Sequence, residues 1–199
     1  MDNPITTWKI SIKGVAPLIQ HNGDLANPFN PFVRAMKELQ AASKRNKTDE
    51  FYRQMAKLEW NGGLYLNDKE QIILPSDVLQ GCVIKAGKRL KKGDVVKTSI
   101  YVETDMVIEY NGPKDREQLF EDRRFVHQVM VVNPATRSRV LRTRPIFRDW
   151  GGTFQLSFDH EQVQPSQVRQ LLDIAGRFAG LGDNRPVYGR FEVTEVKPA

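Results

Sequence analysis

One element order constrains this chain more than any other feature. Read for hydrophobic period and set apart from its insertions, the sequence runs strand, helix, strand, strand, helix, strand. That order predicts a split βαβ arrangement, ferredoxin-like or RRM-like: an antiparallel sheet with both helices on one face. The first strand is set by "TTWKISIKG", where Trp8, Ile10 and Ile12 point one way and Lys9, Ser11 and Lys13 the other. The first helix spans 77–88, with Val78, Leu79, Cys82 and Val83 on one side and Ser76 as its expected N-cap. Gly81 sits inside it, either as a tolerated weak spot or to admit another backbone. The middle strands are one within 97–110 or 125–132, and one at 153–158. The second helix spans 166–178, with Val168, Leu171, Leu172, Ala175 and Phe178 at helical spacing. The last strand covers 190–193.

Two additions break this order. After the loop "VAPLIQHNGDLANPFN", Asn30 and Pro31 predict the cap and first position of a helix. Thr48 then caps a second helix, "DEFYRQMAKLEW", so 31–60 reads as a helical insertion in a single domain. "NGG" at 61–63 predicts a turn into a hairpin of 64–66 against 71–74. The second addition is a hairpin over 125–148, turned at "NPAT" and loaded with Arg137, Arg139, Arg142, Arg144 and Arg148. On a strand, 137 and 139 share one face and 142, 144 and 148 the other, so the charge lies on both faces. Such arginines can hold phosphates, or they can simply line a solvated edge hairpin.

Composition narrows the class. The chain has 199 residues and a formal net charge of +6, which favours a polyanionic partner. Its single cysteine, Cys82, excludes a disulfide framework and a cysteine zinc site. No apolar signal core and no membrane-length run appear, so a soluble, cytoplasmic protein is expected. No Ser-His-Asp order, nucleophile elbow, P-loop or metal-ligand pairing is present, and no cofactor is implied.

The stretch 180–193, "GLGDNRPVYGRFEV", surrounds an Arg-Pro pair and a Tyr with three glycines. Gly180 can end a helix, Gly182 can form a second turn and Gly189 a bulge. Glycines also let a backbone approach a phosphate closely, while Arg and Tyr add charge and a stacking surface.

This stretch resembles the C-terminal glycine-rich loop of the RAMP superfamily, the repeat-associated proteins of CRISPR systems. Gly182, Arg185, Tyr188, Gly189 and Arg190 stand where that family places its loop between last helix and last strand. A second segment, "ILPSDVLQGCVIKAGKR", resembles the family's I-P-G-S-S-L-K-G motif at Leu74, Pro75, Ser76, Leu79, Gly81 and Lys85. It departs from that motif in lacking the Gly after Pro75 and in having Gln80 at a basic position. The two motifs cover about a sixth of the chain. The resemblance implies a backbone subunit that binds guide RNA along a basic surface, stacks side by side with its own copies and joins other effector-complex subunits. The RNA-contacting residues it implies are Ser76, Gln80, Lys85, Lys88, Arg89, the hairpin arginines and the glycine-loop residues named above. The lysines after Gly81 can equally compensate a helix dipole.

The same family places catalytic groups, when it has them, in the loop after the first strand. Here that loop holds His21 and Asp24, which leaves a RAMP-type endoribonuclease open: a histidine can deprotonate a 2′-hydroxyl. Both residues also suit an ordinary surface turn. A single-stranded DNA-binding or annealing protein of a mobile element, a DNA target beside the RNA, and a plain assembly protein are further readings.

Overall fold

The computed structural model describes residues 4–43, 47–132 and 136–199. Their main elements are β1 (Ile5–Gly14), β2 (Leu18–Ile19), α1 (Pro31–Ala42), α2 (Asp49–Gly62), β3 (Ile73–Leu74), α3 (Ser76–Arg89), α4 (Gly93–Ser99), β4 (Ile100–Val102), β5 (Met106–Val107), β6 (Glu109–Tyr110), α5 (Arg116–Glu121), β7 (Val126–Val132), β8 (Arg139–Phe147), β9 (Trp150–Asp159), α6 (Pro165–Ile174) and β10 (Phe191–Pro198). They divide into two compact units. The first holds Met1–Leu18, Leu66–Asn111 and Arg148–Ala199, and the second Ile19–Tyr65 and Gly112–Phe147.

The first unit carries the α+β fold. Its sheet runs β10-β1-β9-β4, all antiparallel, with β6 also on β9. The N- and C-terminal strands lie side by side, as a split βαβ order requires. Burial alternates along β1: Ile10 and Ile12 are buried and Lys9 and Lys13 exposed, so one sheet face is covered. β9 alternates likewise, burying Phe154, Leu156 and Phe158. Helices α3 and α6 pack together on that core. α3 contributes Leu79, Cys82, Val83 and Ala86, and α6 contributes Val168, Leu171 and Leu172.

Three expectations are corrected here. The segment 97–110 is not one strand: Lys97–Ser99 end α4, and three short strands follow, because tertiary packing overrides the β-branched run "DVVKTSIYV". The segment 64–74 forms only a Leu66–Ile72 bridge, and Ile73–Leu74 pair instead with β5. Ser76 is the first residue of α3 rather than its cap: the cap is Pro75, and the Ser76 N–H donates to the Asp105 carboxylate at 2.8 Å.

The second unit joins the helical pair to the basic hairpin. The Asn30 side chain accepts from Phe32 N and Val33 N, and Thr48 accepts from Phe51 N, so both local caps form as the sequence dictates. Trp60 is fully buried and donates from Nε1 to the Phe125 carbonyl at 2.9 Å, with Phe120 edge-on to its ring. β7 and β8 pair antiparallel from Val126–Pro145 to Val132–Arg139. Most of the "NPAT" turn lies outside the described residues.

Candidate nucleic-acid interface

Both motif segments lie in the first unit. Along α3 the exposed positions are Asp77, Gly81, Lys85, Lys88 and Arg89, a stripe at helical spacing. No heavy atom lies within 4 Å of a Cβ built on Gly81, so no other backbone approaches it and its face stands open. On the covered side of α3, the Cys82 thiol lies 3.7 Å from the Ala175 carbonyl. Burial pushes that thiol up to about 12, while the positive charges of Arg185 and Lys85 pull it down.

The loop has a definite shape. Gly180, Gly182 and Gly189 all take positive φ, as does Asn184. Leu181 N donates to the Gly189 carbonyl at 2.8 Å, and Gly189 N to the Pro17 carbonyl at 2.8 Å. A Cβ on Gly189 would fall 1.7 Å from the Leu181 carbonyl oxygen. This glycine is required by the loop's own closure. Arg185, Pro186 and Val187 form an exposed tip, Tyr188 is half-buried, and the exposed Arg190 accepts Val15 N and Ala16 N at its carbonyl.

Gln80 is oriented differently from its neighbours on α3. Its Nε2 donates to the Ile100 carbonyl and its Oε1 accepts Val102 N, both at 2.8 Å. The amide thus copies a strand backbone and pairs with the outer edge of β4. Ser76, its N–H held by Asp105, lies at the start of the same helix.

Of the remaining sequence-predicted residues, all but Arg148 lie in the second unit. Arg139 is exposed at the start of β8. Arg142 donates to Glu59 at 2.9 Å, and Glu59 also accepts Thr143 N at 2.8 Å, so this arginine is held against α2. Arg144 is half-buried opposite His127. Arg137 takes φ +56 before the strand begins, and Arg148 follows its end, so neither shares a strand face with the others as expected. His21 is exposed. Asp24 accepts from Asn30 at 2.8 Å and Asn27 at 3.2 Å, hydrogen bonds that hold its carboxyl below its ordinary range. Since Asn30 caps α1, Asp24 orders that loop. Among the described residues no cluster of His, Cys, Asp or Glu could hold a metal, and no helix is long and apolar enough to cross a membrane.

Sequence reasoning missed Phe178. Its spacing assigns it to the core, yet it is 48% exposed, with the Arg89 guanidinium 4.4 Å from its ring centre.

These elements define an α+β protein with a ferredoxin-like antiparallel sheet. Comparison with solved structures agrees at the level of fold. The chain is similar to one in the cryo-EM structure of the Type III-B Cmr-beta bound to cognate target RNA, with 13% identity and a TM-score of 0.51. That match covers 97% of this chain and 60% of the other, so this chain spans about three-fifths of its length. It also aligns with Cmr6 from Pyrococcus furiosus at 9% identity and a TM-score of 0.38, covering 97% of this chain and 100% of that one. No protein-family model matches the sequence, and no curated protein matches it significantly.

Proposed function

We propose that this protein binds single-stranded RNA, as a guide-RNA-holding backbone subunit of a cytoplasmic CRISPR ribonucleoprotein effector complex. The observation that supports this reading most is that both separately recognised motifs lie in the first unit and each presents exposed cations, Lys85, Lys88 and Arg89 on α3 and Arg185 and Arg190 on the glycine loop. Gly81, Lys85, Lys88 and Arg89 form one exposed stripe along α3. Lysines there serve as point charges for phosphates, and Arg185 at an exposed loop tip can add a bidentate contact. In this reading the helical insertion 31–60 and the hairpin 125–148 elaborate one RAMP-like domain, copies stack side by side on the RNA, and other effector subunits complete the assembly. Arg137 and Arg139 are the hairpin residues placed to add phosphate contacts, since Arg142 is engaged by Glu59.

Competition between RNA and DNA oligomers of one sequence tests the reading. RNA should displace DNA at lower concentration, because a guide-binding surface reads A-form backbone geometry and 2′-hydroxyls. Equal competition favours the strand-annealing alternative. Binding that salt does not weaken contradicts both. The endoribonuclease alternative rests on His21, because Asp24 is engaged by Asn27 and Asn30.

A further inference from the structure

The second helix of the first unit does not end as an α-helix. Val168, Leu171, Leu172 and Ala175 are buried in sequence along α6. Continued at the same pitch, Phe178 would stand at the edge of that stripe, beside Leu171. Instead Ala175–Ala179 form a π-turn, closed by Gly180 N donating to the Ala175 carbonyl at 2.9 Å. The wider turn rotates Phe178 away from the stripe and keeps Ala179 on it: Ala179 is 3% exposed and Phe178 48%. Gly176 lies so close to β10 that a Cβ there would fall 2.1 Å from the Phe191 carbonyl oxygen, which pins the turn against the sheet. A large aromatic ring is thus turned out of a core that its spacing would have given it. Single π-turns of this kind occur preferentially at functional sites.

The ring does not emerge at random. Arg89, the last residue of α3, lays its guanidinium over it. With that side covered, about half of the Phe178 surface still faces solvent. The turn that carries it packs on α3, with the Ala175 carbonyl against Cys82, and α3 is the helix that presents Lys85, Lys88 and Arg89 to solvent. An exposed aromatic face beside a row of cations is the combination by which single-stranded nucleic acids are held: stacking for the base, charge for the backbone.

We infer that Phe178, backed by Arg89, is a stacking platform for one nucleobase of the strand held along α3. This rests on the RNA-binding reading and adds to it a base contact that neither motif contains. Stacking is not ionic, so it contributes affinity without contributing to salt dependence, whereas the lysines contribute to both.

The test uses the full chain and a single-stranded oligoadenylate carrying 2-aminopurine at successive positions. Binding should quench the 2-aminopurine fluorescence at one register. Phe178→Leu should abolish that quenching and weaken affinity about 5- to 100-fold with the salt slope unchanged, and Phe178→Trp should retain both. The thermal midpoint of Phe178→Leu should stay near that of the wild type, because the ring is not core. Wild-type protein that binds the oligomer, with Phe178→Leu binding within twofold and quenching equally, overturns the platform while leaving the RNA reading intact. Wild-type protein that binds no RNA at any salt removes the RNA reading, and the platform with it.

Discussion

The backbone N–H of Leu181 donates to the carbonyl of Gly189 at 2.8 Å, so the glycine-rich stretch is closed upon itself before it meets any ligand. The position a methyl would take on Gly189 is filled by the Leu181 carbonyl. Gly189→Ala should therefore destabilise the fold, by at least about 1–2 kcal/mol for the left-handed backbone alone. Gly81→Ala should do the reverse and raise stability by about 0.5–1 kcal/mol, because its site on α3 is open. Denaturant midpoints at constant m-value check both. If Gly81→Ala nonetheless weakens RNA binding, the bare backbone there is a contact surface.

Gln80→Ala should cost about 1–3 kcal/mol, since it strips the pairing from Ile100 O and Val102 N on a strand edge. The exposed edge of β4 should then promote self-association, visible as a concentration-dependent sedimentation coefficient. RNA affinity of the monomeric fraction should not change.

Arg142→Ala should lower stability by on the order of 1–3 kcal/mol, because it leaves the nearly buried Glu59 without its cation. Arg139→Ala, at an exposed position, should leave stability within about 0.5 kcal/mol of the wild type. If the hairpin touches RNA, the salt slope should respond to Arg139 rather than Arg142.

Cys82 gives a pH signature. Its thiol is raised from 9.0 to about 12 by burial, so the folded state holds the proton that the unfolded state releases. The resulting stability is fully present below pH 9 and is lost as pH rises through the folded value near 12. Between these limits wild-type stability should fall faster with pH than that of Cys82→Ala, by up to about 1.4 kcal/mol per unit. Ellman's reagent should label Cys82 only upon unfolding.

The parts of this protein that were legible in its sequence are those set by local chemistry. The alternation of Trp8–Lys13, the Asn30 and Thr48 caps, and the order of strands and helices each depend on residues a few positions apart. The candidate site was legible only as two motifs. That Gln80 faces an edge strand, and that Arg142 faces Glu59, depends on partners 20 to 83 residues away. The π-turn was hidden for a related reason: the spacing of Phe178 fits a continuing α-helix, and what widens the turn is the close approach of Gly176 to Phe191. The segment before β4 misled because its β-branched residues suit a strand, while packing against α3 makes them helical.

The most direct test of the central claim is the slope of log affinity against log salt for a single-stranded RNA oligomer, measured on wild type, Lys85→Ala, Arg185→Ala and the double variant. Both cations are exposed, Lys85 on α3 and Arg185 at the tip of the glycine loop, so each single variant should flatten the slope by about 0.7 and the double variant by about 1.4, the loss expected per phosphate contact on a single strand. Folded variants whose slopes match that of the wild type would contradict the account, for RNA would then contact the exposed cation of neither motif.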